Sequence, residues 1–203
     1  MADVNGDMVL DLVAGTGAGS APEVVAYNAV GGVPFTDELA RFAPPFDVGF
    51  RGGVNIGGVD IDGNALADNI IVASGPGMES QVKIYSTDLP ADKRSAPAEF
   101  GSFSPYPGSS SGVTFATGMV DSHSGRASIV TAPGAGEEPL IKTFRYDLYE
   151  PTAAAQGGSD EHAGHTAGPV MTSQFLAFDQ ATATGGCLCR RVGWPAPRAA
   201  QSR

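Results

Sequence analysis

An acidic stretch near the start of the chain, Asp3-Val4-Asn5-Gly6-Asp7-Met8-Val9-Leu10-Asp11, recurs 57 residues later as Asp60-Ile61-Asp62-Gly63-Asn64-Ala65-Leu66-Ala67-Asp68. An internal repeat constrains a fold more tightly than composition does. Each copy must build the same supersecondary unit and bury its apolar face against a neighbouring copy. The two copies stay aligned beyond the acidic stretch. Each runs into an apolar segment, Leu12-Val13-Ala14 in the first, then a Gly-rich turn. A second apolar segment follows, Val24-Val25-Ala26-Tyr27 in one copy and Val82-Lys83-Ile84-Tyr85 in the other.

A third copy follows at lower fidelity. Ile129-Val130-Thr131-Ala132-Pro133-Gly134-Ala135-Gly136-Glu137-Glu138-Pro139 keeps the order of apolar run and glycine turn, and Leu140 to Phe144 stands where the second run should. Its oxygen-rich loop has decayed to Asp121-Ser122-His123-Ser124-Gly125-Arg126-Ala127-Ser128, one residue shorter and with one carboxylate. The segments between copies also correspond. Phe42-Ala43-Pro44-Pro45-Phe46-Asp47 leads to Gly52-Gly53-Val54-Asn55-Ile56, and Phe103-Ser104-Pro105-Tyr106-Pro107 leads to Gly112-Val113-Thr114-Phe115-Ala116. Phe175-Leu176-Ala177-Phe178-Asp179 leads to Gly185-Gly186, where a fourth copy should open.

Val113, Phe115 and Met119 alternate in part, as a half-buried strand requires. With 28 Gly and 15 Pro, about a fifth of the chain is turn-former, which argues for many short strands over long helices. Each unit reads as four short strands with the oxygen-rich loop between the first and second. Four antiparallel strands repeated at a period of about 60 describe a β-propeller blade. The expectation is an all-β chain of about three blades, a partial or oligomer-completed propeller. Blade 1 spans 1–53 and lacks its first strand; blade 2 spans 54–112. Blade 3 spans 113–182 with a loop insertion near 153–168, and 183–203 form an irregular tail.

The combination of an acidic loop, an apolar strand and a Gly-Pro-Gly-type turn, recurring in fixed order over roughly residues 3–180, resembles the FG-GAP or VCBS repeats. These repeats form integrin-α-like propellers and occur in bacterial surface and secreted proteins. The resemblance implies β-propeller blades whose loops bind Ca²⁺, extracellular or cell-surface placement, and a role in adhesion or binding of a protein or glycan. Ca²⁺ takes six to eight oxygen ligands, and a curling turn presents side chains at alternate positions with one backbone carbonyl. The side-chain ligands expected in the first loop are Asp3, Asn5, Asp7 and Asp11, with the carbonyl of Val9 by family pattern. In the second they are Asp60, Asp62, Asn64 and Asp68, with the carbonyl of Leu66. Three carboxylates packed in each loop repel one another, and a dication offsets that repulsion. The plain alternative is a turn of Asn, Asp and Gly between strands.

The sequence departs from the family pattern at the sixth loop position, usually glycine and here Met8 and Ala65. A positive φ there would strain a non-Gly residue. Asp3 lies two residues from the first residue, so the first loop is expected to fray and the second to be sounder. No glutamate stands at the twelfth position and no helices are expected to flank the loops, so an EF-hand is excluded.

Other constellations carry less. Gly15-Thr16-Gly17-Ala18-Gly19 precedes a strand, not a helix, and lacks the Lys-Ser/Thr pair of a phosphate cradle. Gly108-Ser109-Ser110-Ser111-Gly112 fits G-x-S-x-G formally but sits in a low-complexity loop with no following helix. His162, His165, Cys187 and Cys189 supply four zinc-ligand types without standard finger spacing. A flexible loop and an unrelated tail is the blander reading.

A net charge of −10 disfavours nucleic acid and suits divalent cations. No run of 18 apolar residues predicts a membrane span, and Met1-Ala2-Asp3 shows no signal-peptide pattern. The functional expectation is a non-catalytic, calcium-binding propeller module, as a homo-oligomer or as part of a longer propeller. The alternatives are part of a larger secreted hydrolase or lyase, and a structural spacer.

Overall fold

The computed structural model describes residues 1–30, 35–87, 89, 93, 95–120, 127–147 and 168–178. Among these the secondary structure is all β, with no helix. Eleven strands form three separate antiparallel sheets, each a meander in chain order. The first sheet holds β1 (Leu12–Gly15), β2 (Val24–Tyr27) and β3 (Glu38–Phe42). The second holds β4 (Val54–Val59), β5 (Asn69–Ser74), β6 (Val82–Tyr85) and β7 (Glu99–Phe103). The third holds β8 (Val113–Gly118), β9 (Ser128–Pro133), β10 (Leu140–Asp147) and β11 (Gly168–Leu176). No sheet closes on itself. Met119, expected to belong to an alternating strand, lies past the end of β8 and is exposed, because its neighbour Gly118 ends the pairing with Ser128.

Each of the three sheets carries one register shift. Pairing slips by one residue between Ala26 and Tyr27 in the first sheet, between Ile84 and Tyr85 in the second, and between Thr143 and Phe144 in the third. An extra residue at one place in every sheet bends and twists each in the same way. The first sheet has three strands because its first position holds only Ala2, which bridges Asp11.

In the middle sheet, β5 and β6 are buried on both faces. Alternate side chains of β5 point to opposite sides, as strand geometry dictates. Ile70 and Val72 join Val13, Val24, Ala26, Ala40 and Phe42 in a core against the first sheet. Ile71 and Ala73 join Val113, Ile129 and Phe144 in a core against the third. An aromatic pair recurs in each core: Phe42 meets Tyr85 edge-on with centroids 5.1 Å apart, and Phe103 meets Phe144 at 4.7 Å. Phe103 and Phe144 occupy the same ladder positions as Phe42 and Tyr85.

Glycines set the approach of one sheet to the next. Within the second and third sheets, the N–H of Gly75 donates to the carbonyl of Gly53 at 2.9 Å and that of Gly134 to the carbonyl of Gly112 at 3.0 Å, continuing the β4–β5 and β8–β9 ladders. Gly53 and Gly112 have φ of 78° and 85°, and a Cβ on either would lie within 2.6 or 2.7 Å of a backbone nitrogen of the preceding hairpin. The Gly-Pro-Gly turn is thus read by its neighbour through the backbone, where a side chain has no room.

Candidate metal centre

The two acidic loops are wound alike, residue for residue. Asp3 accepts the N–H groups of Gly6 and Met8, both at 2.9 Å; Asp60 accepts those of Gly63 and Ala65, at 2.7 and 2.9 Å. Two residues on, Asn5 accepts the N–H of Asp7 at 3.0 Å, and Asp62 that of Asn64 at 3.0 Å. Two further on, Asp7 accepts the N–H of Val9 at 2.8 Å, and Asn64 that of Leu66 at 2.7 Å. The alternating oxygens that the sequence singled out therefore sit on the inside of a turn whose amides point toward them.

The winding demands left-handed backbone at two places in each loop. Gly6 and Gly63 have φ of 76° and 83°, and Met8 and Ala65 have φ of 66° and 70°. The strain anticipated at the sixth loop position is present. A non-Gly residue in this region costs about 1–2 kcal/mol, and both copies bear that cost at the same position.

The loops differ in burial at their first and last carboxylates, while Asn5 and Asp7 are exposed like their counterparts. Asp3 and Asp11 are buried, whereas Asp60 and Asp68 are half-buried and Asp62 and Asn64 exposed. Three contacts tie the first loop into the fold. Ala2 bridges Asp11, the N–H of Asp3 donates to the carbonyl of Ala67 at 2.9 Å, and Val4 is buried in the core between the first two sheets. Both oxygens of Asp11 are engaged by backbone amides, Val4 N–H and Ala29 N–H, each at 3.0 Å. Ala29, in the connection after β2, was not foreseen, because nothing local to the acidic stretch points to it.

Electrostatics follow from this packing. Burial pushes the Asp11 carboxyl above its ordinary pKa, against the pull of the Ala29 and Val4 amides, and the charges of Asp7 and Asp3 push the same way. Burial likewise raises Asp68, opposed by its hydrogen bond from Asn64 and assisted by the charges of Asp62 and Asp60. The Asn64 amide nitrogen bridges the two carboxylates, 3.2 Å from Asp62 and 2.8 Å from Asp68.

The donor set fits a hard cation in kind: carboxylate and amide oxygens on alternate residues of one turn. Among the described residues no three carboxylate, imidazole or thiol groups converge as a preformed cluster. Amide N–H groups face the carboxylates in their place, so seating a cation requires side chains to turn from those partners. Asp121–Arg126 of the decayed third loop and the set His162, His165, Cys187 and Cys189 lie outside the described residues.

The remaining motifs resolve into hairpin structure. The Thr16 hydroxyl donates to the carbonyl of Ala21 at 2.9 Å and accepts the N–H of Glu23 at 3.0 Å, closing the turn between β1 and β2. Ser109 lies 3.0 Å from the Ser111 hydroxyl and donates to Glu137 at 2.8 Å, and strand β8, not a helix, follows Gly112. No family model, no curated protein and no solved structure matches the chain.

Proposed function

We propose that this chain is a run of FG-GAP/VCBS-like β-propeller blades, stabilised by Ca²⁺ at residues 3–11 and 60–68, that serves non-catalytic binding at a cell surface or outside the cell. The observation that carries the reading is the shared winding of the two acidic loops, down to the left-handed backbone at Met8 and Ala65. Turns of Asn and Asp need no such repeated strain merely to join two strands. In the first loop Asp3, Asn5, Asp7, Asp11 and the Val9 carbonyl would hold the ion; in the second, Asp60, Asp62, Asn64, Asp68 and the Leu66 carbonyl. Bound calcium supplies positive charge among carboxylates that otherwise repel. The chain's own part is to fix the turn between two strands and so the spacing of neighbouring blades. A ligand that binds only the folded form stabilises it by mass action.

Millimolar Ca²⁺ is expected to raise the melting temperature and a chelator to lower it. Asp60→Ala with Asp68→Ala should remove most of the shift contributed by the second loop. A melting temperature that ignores both calcium and chelator rejects the metal and leaves the loops as plain Asx turns.

A further inference from the structure

Two aromatic contacts join consecutive sheets at matching ladder positions. Phe42 of the first sheet meets Tyr85 of the second at 5.1 Å, and Phe103 of the second meets Phe144 of the third at 4.7 Å. Phe42 and Phe103 lie on the last strand of their sheets, opposite Val24 in β2 and Val82 in β6. Phe175 on β11 lies opposite Ile141 at the same position of the third sheet, yet it is 55% exposed where Phe42 is 2%. The receiving residues, Tyr85 and Phe144, pair with Ile70 and Ile129. Tyr27 pairs with Leu12 at that position of the first sheet, and both are only half-buried. Ala14, two residues on, is exposed, whereas its ladder equivalents Val72 and Thr131 are fully buried. Among the described residues no ring packs on Phe175 or Tyr27, and neither joins a buried core.

We propose that a second copy of this chain docks head to tail, its first sheet against the third sheet of the first copy, with Phe175 of one copy seated edge-on against Tyr27 of the other. The chain thus carries, one on each outer face, both halves of a contact it already makes twice internally. Apolar side chains exposed together on a sheet face mark an interaction surface. Phe178, also exposed, follows Phe175 by three residues as Tyr106 follows Phe103. The Tyr106 hydroxyl lies 3.1 Å from that of Thr131 across the second and third sheets. In the docked pair Phe178 meets Ala14, and neither side chain has a hydroxyl to satisfy. Opposite faces meet, so the contact is heterologous: two copies close a ring or further copies extend a filament. This docking rests on the reading of the chain as consecutive blades and uses neither calcium site.

Sedimentation of the full chain over a range of concentrations should show association. Phe175→Asp and Tyr27→Asp should each weaken it by about thirtyfold or more, as loss of an interface hot spot does. Mixed together, the two variants should regain a dimer and nothing larger, because Tyr27 of one and Phe175 of the other restore a single contact. Val48→Asp, at an exposed residue between β3 and β4, should associate as wild type does. Circular dichroism checks that each variant keeps its β signal, and Phe175→Ser and Tyr27→Ser give the same reading with milder changes. A wild-type monomer at every concentration overturns the proposal, as does wild-type association of either aspartate variant alone or failure of the mixture to pair. Association in chelator, with no calcium shift in melting, supports the docking and rejects only the metal. A calcium-stabilised chain that stays monomeric overturns the docking and leaves the metal.

Discussion

The backbone N–H of Asp3 donates to the carbonyl of Ala67 at 2.9 Å, which ties the opening of the first acidic loop to the end of the second. Asp60 is tied to the third sheet in the reverse sense, the N–H of Ala127 donating to its carbonyl at 3.2 Å. Loops joined in this way cannot respond independently. Asp3→Ala and Asp60→Ala, measured singly and together by urea unfolding, should be non-additive by about 0.5–3 kcal/mol, the range for residues sharing one network. Strict additivity would show that the backbone link transmits nothing.

Tyr85 is almost fully buried, and among the described residues its hydroxyl has no hydrogen-bond partner. In the next unit the corresponding residue is Phe144, which packs on Phe103 as Tyr85 packs on Phe42. The hydroxyl is a polar atom in an apolar position, and burial raises its pKa accordingly. Tyr85→Phe should be neutral or stabilising by up to about 1 kcal/mol. A loss of stability on denaturant unfolding would mean that the hydroxyl is satisfied in solution.

Relief of left-handed strain is measurable at Met8 and Ala65. Glycine removes a cost of about 1–2 kcal/mol but adds about 0.5–1 kcal/mol of unfolded-chain entropy. Met8→Gly and Ala65→Gly should therefore each stabilise by up to about 1 kcal/mol in a thermal or urea melt. Destabilisation by either would indicate that the loop does not hold a positive φ at that residue.

The glycines that follow β5 and β9 should be intolerant. A Cβ on Gly75 would lie 2.0 Å from the carbonyl oxygen of Gly52, and one on Gly134 would lie 1.9 Å from that of Ser111, both backbone atoms. Gly75→Ala and Gly134→Ala should each cost about 1–3 kcal/mol, as overpacking does. Gly17→Ala, in the hairpin before β2 with nothing near its Cβ, serves as the control and should be close to neutral.

Buried carboxylates make stability depend on pH. Asp11 and Asp68 have carboxyls raised by burial, so the folded chain binds a proton more readily than the unfolded one. Their ionisation therefore opposes folding above the raised values, and that penalty is relieved as pH falls from neutral toward the carboxylate range. Glu99 works the other way. Burial raises its pKa, but hydrogen bonds from Ser102 and Lys83 outweigh burial and hold it below the ordinary value, so its contribution is lost at more acidic pH. In chelator, mild acidification should raise the melting temperature of wild type more than that of Asp68→Asn. With calcium present the trend should reverse, since protons then compete with the metal. Equal responses of the two proteins in chelator would remove Asp68 as the group responsible.

Much of the all-β character was legible in short apolar runs and turn residues. Val24–Tyr27 and Val82–Tyr85 are strands as quoted from the sequence, and the three sheets fall inside the three segments that the repeat marks out. Period-2 burial and turn chemistry are local signals, so one sequence can carry them. The burial of Asp3 was not legible because position along the chain says nothing of what packs over it; Ala67, 64 residues away, supplies the contact. The capture of Asp11 by Ala29 N–H escaped for the same reason, since a backbone donor leaves no mark in residue type. The positive φ of Met8 was readable only as a conflict between the loop pattern and the residue found there.

Strand β5 has a consequence for how the molecule assembles itself. Its neighbouring side chains Ile70 and Ile71 belong to different cores, so one stretch of backbone is the shared wall of two compartments. A lesion at Ile70 and a lesion one residue along at Ile71 should loosen opposite partners, yet each must weaken the wall itself. The middle sheet is thus the keystone through which the outer two sense each other's integrity, and cooperativity along the chain is set there.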